Sequence, residues 1–173
     1  MALKHWRSAF ALVLGLIFCL TSGTAHAVLP KGSIAVLSKS ASAQEAAQVA
    51  SVFTRQLLAR GYKVVDPKKL DAIRRSKAAA LALDGNVDAI MKLSRQYGFS
   101  TLITAQSEAG RPVLNEFQLY TGTSSIAVMV TASNGSQIYA DTVAGKQVGY
   151  TPSEAQQKSL EAAAALAVKR MTE

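Results

Sequence analysis

The side chains with the widest chemical reach are scarce in this chain, and they sit at one end of it. Cys19, His5 and His26 are its whole supply of thiol and imidazole, and all three precede Val28. A thiol there could carry a lipid or act as a nucleophile, and the imidazoles could serve as bases or metal ligands. The surroundings argue against each use. Cys19 lies inside the apolar part of "FALVLGLIFCLTSGTAHA" (Phe10–Ala27), directly after Phe18, where a bacterial lipidation site carries a small residue. Lys4 and Arg7 give a positive start, Ala9–Leu20 is the apolar run, and Ala25 and Ala27 bracket His26 in a small-x-small pattern. That order is the layout of a cleaved export signal. The apolar run is about a dozen residues, short of the roughly 20 that span a bilayer. The expectation is cleavage after Ala27, which makes 1–27 a signal peptide and 28–173 a single domain delivered to the periplasm.

Cleavage would leave a body without cysteine or histidine. Triad bases, thiol nucleophiles, disulfides and the usual zinc and copper ligands would go with the leader. No Ser-x-x-Lys, Gly-x-Ser-x-Gly, Gly-x-Gly-x-x-Gly or phosphate-binding loop occurs in the sequence. Asp84 and Asp88 stand four apart in "DGNVD", and a helix start accounts for them better than paired acid–base chemistry. No catalytic, cofactor-binding or metal site is expected.

The remaining candidates are surface groups. The full chain carries a net charge of +8. Lys68, Lys69, Arg74, Arg75 and Lys77, with Lys63 just before them, crowd one short stretch. They could meet anionic lipid head groups, an anionic wall polymer such as peptidoglycan, or an acidic partner, or they could simply solvate a helix face. Nucleic acid is excluded, because no stacking aromatics accompany the basic residues and export removes the chain from it. Tyr120, Tyr139 and Tyr150 fall in or beside the later strands and could join a partner-binding surface. "AGKQVGYTP" (Ala144–Pro152) is the best-placed loop for an anion, at a helix start.

The elements that must position these groups follow from periodicity and capping. "GSIAVLSKS" reads as a short buried strand through Ile34 and Val36. Ser42 with Glu45 forms a capping box, and Ala46, Val49, Phe53 and Leu57 then share a helical face that stops at Gly61. "YKVVD" (Tyr62–Asp66) is a second strand, Asp66-Pro67 opens a helix carrying Leu70 and Ile73, and "AAALAL" runs on to a break at "DGN". Asn86 starts another helix, with Val87, Ile90, Met91 and Tyr97 on its apolar side and Gly98 at its end. "STLITAQ" is a third strand, "SEAGRP" (Ser107–Pro112) a loop, and "VLNEFQLY" an extended piece. In "SSIAVMVTASNGSQIYADTV", Ile126, Val128 and Val130 alternate with Ala127, Met129 and Thr131, and Asn134-Gly135 predicts a two-residue hairpin turn. Thr151 and Glu154 form a second capping box ahead of an Ala-rich helix with Leu160, Ala163, Ala167 and Met171 inward. Crossover helices imply parallel early strands, and the hairpin implies antiparallel later ones. The fold class is mixed α/β: a mixed parallel/antiparallel sheet with packed helices, in an anticodon-binding-domain-like arrangement.

"SIAVLSKSASAQEAAQVASVFTRQLLARGYKVVDPKKLDAI", "LDGNVDAIMKLSRQYGFSTLITAQ", "IAVMVTASNGSQIYA" and "SEAQQKSLEAAAALAV" together resemble a family of bacterial envelope domains. Its members include the periplasmic domains of the curli secretion lipoprotein CsgG, the penicillin-binding-protein activator LpoB and the flagellar assembly protein FlgT, with the amino-terminal domain of TolB more distant. The family often has Asp-x-x-Thr-Gly where Ala132-Ser-Asn-Gly135 stands here, so no functional side chain carries over at that turn. A lipid cysteine, a long tethering linker and a pair of membrane-inserting hairpins are also missing. The resemblance implies a non-enzymatic module for assembly, scaffolding or activation of envelope or outer-membrane-associated proteins, with self-association included and no membrane span after cleavage. The alternative is a binder of cell wall or of a small anionic ligand, and a hydrolase is the less favoured third reading.

Overall fold

The computed structural model describes residues 29–173. The expected leader, with Cys19 and both histidines, lies outside the described residues. The elements run β1 (Ser33–Lys39), α1 (Ala43–Ala59), β2 (Lys63–Val64), α2 (Pro67–Arg74), α3 (Lys77–Leu83), α4 (Val87–Tyr97), β3 (Thr101–Ala109), β4 (Val113–Leu114), β5 (Tyr120–Ala132), β6 (Gln137–Gly149) and α5 (Pro152–Thr172). They form one mixed sheet. β1 pairs in parallel with β2 and β3, and β5 pairs antiparallel with β3, β4 and β6. Tyr120 and Thr121 pair with β4 and with β6 at once, so β4 must continue the β3 track and β6 must take the other edge of β5. The expected fold class is the one observed.

Two apolar layers sandwich this sheet. On the front face, α1 and α5 cover Ile34, Val36, Ile103, Ala105, Ile126, Val128, Val130 and Val143. On the back face, α2, α3 and α4 cover Ala35, Leu37, Val65 and Leu102 only. The back of β5 and β6 is left open, with Thr123, Ala127, Ala140, Thr142, Ala144 and Lys146 exposed. This explains the two sequence patterns. Ile34–Leu37 is a continuous apolar run because both its faces are covered, whereas β5 alternates because only one of its faces is.

Several boundaries differ from the sequence reading, each for a local reason. Ser76 accepts a hydrogen bond from the Ala79 N–H and starts α3 afresh, so the stretch 67–83 is two helices rather than one. On α4 the buried residues are Ala89, Ile90 and Leu93, while Val87 in the first turn is 45% exposed. β2 keeps only two of the five expected residues, because Asp66 already caps α2. β3 runs on to Ala109, and β5 starts at Tyr120 rather than Ser124, so "SEAGRP" is mostly strand and "VLNEFQLY" is mostly turn.

The Asn134-Gly135 hairpin forms with a different turn. Gly135 N–H bonds to Ala132 C=O, Ala132 N–H bonds to Ser136 C=O, and Gly135 alone takes the left-handed conformation, at φ 87°. This is a three-residue loop closed by a bulge, not a two-residue turn that needs positive φ at both positions. Asn134 Oδ1 accepts from the Ser136 N–H and hydroxyl, which holds Asn134 in its own position. A register shift between Val130 and Thr131 follows.

Both capping boxes are half formed. Ser42 and Thr151 accept from the Glu45 and Glu154 N–H groups as expected. The Glu45 carboxylate turns instead to the Ser40 hydroxyl and Gln156, and Glu154 accepts from the Tyr150 N–H and pairs with Lys158.

"AGKQVGY" is not a loop. It is the second half of β6, and its glycines face α5. A Cβ on Gly145 would lie 2.1 Å from Ser159 C=O, one on Gly122 would lie 2.3 Å from Ala155 C=O, and one on Gly149 would lie 2.7 Å from Ala155 N. Ala155, Ser159 and Ala163 form an i, i+4, i+8 stripe, so the helix backbone rests directly on bare strand backbone. Buried Ser159 and Ser124 hydrogen-bond each other across the same contact.

Candidate interaction surface

The far end of the hairpin collects apolar groups that nothing covers. Val113, Leu114, Phe117, Val148 and Tyr150 are all exposed, Phe117 at 73% and Tyr150 at 80%. Register brings them together. Val113, Thr121 and Val148 form a row across β4, β5 and β6 on the back face, and Leu114, Tyr120 and Gly149 form the next row on the front. A scattered exposed apolar residue needs no explanation, but a contiguous patch marks a contact surface.

The patch stands on a fixed platform. Asn115 closes the turn between β4 and β5: its Oδ1 accepts from the Phe117 and Leu119 N–H groups, both at 3.0 Å, and its backbone exchanges bonds with Leu119 and Gln118. Phe117 is therefore held outward by satisfied backbone. Arg111, Glu116 and Lys146 surround it as exposed charges, which gives an apolar centre with a polar rim.

The predicted site residues divide among three places. Lys68, Lys69, Arg74, Arg75 and Lys77 are all exposed along α2 and α3, at the β2–β1 side of the sheet. Arg74 pairs with Asp71 at 3.3 Å, and the other four join no salt bridge among the described residues. Tyr120 and Tyr150 belong to the apolar end of the hairpin. Tyr139 does not, because it pairs with Val130, ten residues along β5 from Tyr120, or roughly 34 Å.

Tyr139 has a different set of contacts. Its hydroxyl donates to Asp141 Oδ2 at 2.9 Å, Arg170 of α5 donates to the same oxygen at 3.0 Å, and the Thr142 N–H donates to Asp141 Oδ1. Burial, and then the Asp141 carboxylate, push the Tyr139 hydroxyl up to about 12. The Arg170 bond, helped by Tyr139 and the Thr142 amide, holds the Asp141 carboxyl below its ordinary value. This cluster ties the end of α5 to β6. Because Arg170 is half exposed, the ion pair adds little beyond geometry.

A second feature is an open cleft of about 520 Å³ where the α3–α4 loop meets the back of the sheet, lined by Leu83, Asp84, Gly85, Gln106, Met129 and Thr142 among others. Gln106 donates to Leu83 C=O and Lys39 pairs with Asp84, so the polar groups at one wall are already engaged. Among the described residues no three His, Cys, Asp or Glu side chains gather as a metal site would need, and no helix is long and apolar enough to cross a membrane.

Sequence reasoning found Tyr120 and Tyr150 but missed Val113, Leu114, Phe117 and Val148. The usable signal was Asn115 two residues before a lone Phe in a polar stretch, which is the layout of an Asx turn with an exposed aromatic.

No family model and no curated protein matches the chain. Solved structures do. The chain is similar to the hypothetical protein CT253 from Chlamydia trachomatis, at 16% identity and a TM-score of 0.51 over 82% of this chain and 98% of that one. Lipoprotein GNA1162 from Neisseria meningitidis aligns at 16% identity and a TM-score of 0.49, over 70% of this chain and 86% of that one. The LpoB C-terminal domain from Salmonella enterica aligns at 12% identity and a TM-score of 0.42, over 82% and 98%. The likeness to CT253 is one of fold.

Proposed function

We propose that this protein is an exported, non-enzymatic module of the bacterial periplasm that binds other envelope proteins, in assembly, scaffolding or activation. The observation that carries this reading is the contiguous apolar patch of Val113, Leu114, Phe117, Val148 and Tyr150, held on rigid backbone with a charged rim. Interfaces put aromatic anchors at a dry centre, and Phe117 and Tyr150 have that placement. The leader-like pattern before Val28 and the resemblance to envelope domains support the compartment.

Photo-crosslinking in intact cells tests it. A crosslinker at Phe117 should capture a discrete envelope protein that one at Lys69 does not. Capture of nothing at Phe117, together with turnover of a small substrate, overturns the reading. Capture at Lys69, with sedimentation on peptidoglycan that fades as salt rises, favours the wall-binding alternative, since exposed charges are screened by salt. That alternative rests on the four unbridged cations of α2 and α3.

A further inference from the structure

The outer edge of β6 is thirteen residues long, and among the described residues no strand pairs with it. Which of its backbone groups point outward is fixed by two observations. Gly110 N–H bonds to Thr123 C=O, so odd-numbered β5 residues face the β3 side and even-numbered ones face β6. Their partners on β6, such as Asp141, Val143 and Gly145, are odd. The backbone of Ala140, Thr142, Ala144, Lys146 and Val148 therefore points away from the sheet. The Thr142 N–H agrees, since it finds only its neighbour's Asp141 Oδ1, at 2.8 Å. A long open edge is a template for another strand.

We propose that β6 of a second copy of this chain occupies this edge, antiparallel and across a two-fold axis at Ala144, joining two sheets into one. The register follows from the side chains. An axis at Lys146 would set two ammonium groups face to face. An axis at Thr142, Val143 or Ala140 would draw Ile138, beside the Val130/Thr131 register shift, into the new ladder. An axis at Ala144 avoids both. It sets Thr142 of one copy against Lys146 of the other, and Ala140 against Val148. On the front face it sets Val143 against Gly145, Asp141 against Gln147, and Tyr139 against Gly149. No like charges meet, and each bulky residue on the front meets a glycine. Val148, 45% exposed in the single chain, gains an apolar neighbour. The Thr142 N–H exchanges its bond to Asp141 for one across the two-fold. The interface is isologous and closes at two copies. It does not depend on the partner-binding reading above, since it uses the edge of β6 and leaves Phe117 free.

Light scattering on the full chain, expressed in an exporting host, gives the first test: the mass should rise to twice the monomer with concentration. Ala144→Pro should abolish this while leaving the urea midpoint unchanged, because the amide it removes points outward and proline is tolerated there. Should Ala144→Pro fail to fold, Ala144→Lys places like charges at the axis and should weaken the dimer about tenfold or more. Ala144→Cys should form a disulfide between copies under mild oxidation, whereas Lys146→Cys, four residues from its own copy across the axis, should not. A monomer at every concentration, or a dimer indifferent to both Ala144→Pro and Ala144→Lys, overturns the proposal. Crosslinking through Lys146→Cys alone overturns the register.

Discussion

β1 and β6 belong to one sheet and live in different surroundings. β1 lies between two helical layers, with Ile34, Ala35, Val36 and Leu37 all buried. β6 has α5 on one side, water on the other, and an open edge, so buried Val143, Gly145 and Gly149 stand among exposed neighbours. The first half of the sheet supplies cohesion. The second half is thinly held except where α5 touches it, and so it can present a face, an edge and an apolar end to other molecules. Stability and contact are assigned to different strands.

The sharpest way to break this contrast is to cut equal volume from each half. Leu37→Ala should cost about 2–5 kcal/mol in urea denaturation, and Val148→Ala no more than about 0.5 kcal/mol. Equal costs would mean that the hairpin end is as structural as the β1 core. The next effect probes the one tight contact in the hairpin. Gly145→Ala drives a methyl group into Ser159 C=O and should cost about 1–3 kcal/mol, whereas Ala144→Ser next to it, on the exposed side, should be close to neutral. Asn115→Ala removes the acceptor for two amides and should cost about 1 kcal/mol, with faster hydrogen exchange confined to residues 115–119. A loss spread across β1 and β3 would contradict local support of Phe117.

The smallest effect is in pH. Asp141 is depressed in the fold, so its contribution is complete above its ordinary value of 3.8 and is lost as the pH falls through the folded value. Tyr139 is raised, so its contribution is complete below 10.0 and is lost as the pH rises toward about 12. Stability should therefore shrink at both ends, and Asp141→Asn should flatten the acid limb alone.

The doubly covered half was legible in the sequence because burial on both faces writes a plain signal. "IAVL", the Val49–Phe53–Leu57 stripe and the caps Ser42, Asp66 and Asn86 each fixed an element where it stands. The hairpin was legible only in its middle, where Ile126, Val128 and Val130 alternate. Beyond it, Gly122, Gly145 and Gly149 look like loop residues, because a strand that packs against helix backbone has no apolar side chain to show. The same gap hid the surface. Val113, Leu114, Phe117 and Val148 lie far apart in the chain and become neighbours only through the β4–β5–β6 register, which no local pattern encodes.

The contact between α5 and the glycines sets an order of assembly. The ribosome makes that helix last, so until its final turns emerge the hairpin offers a greasy floor of Ile126, Val128, Val130 and Val143 with no roof. A nascent chain cut short before Pro152 would carry that floor uncovered and should clump. The complete polypeptide seals itself with the last segment to arrive.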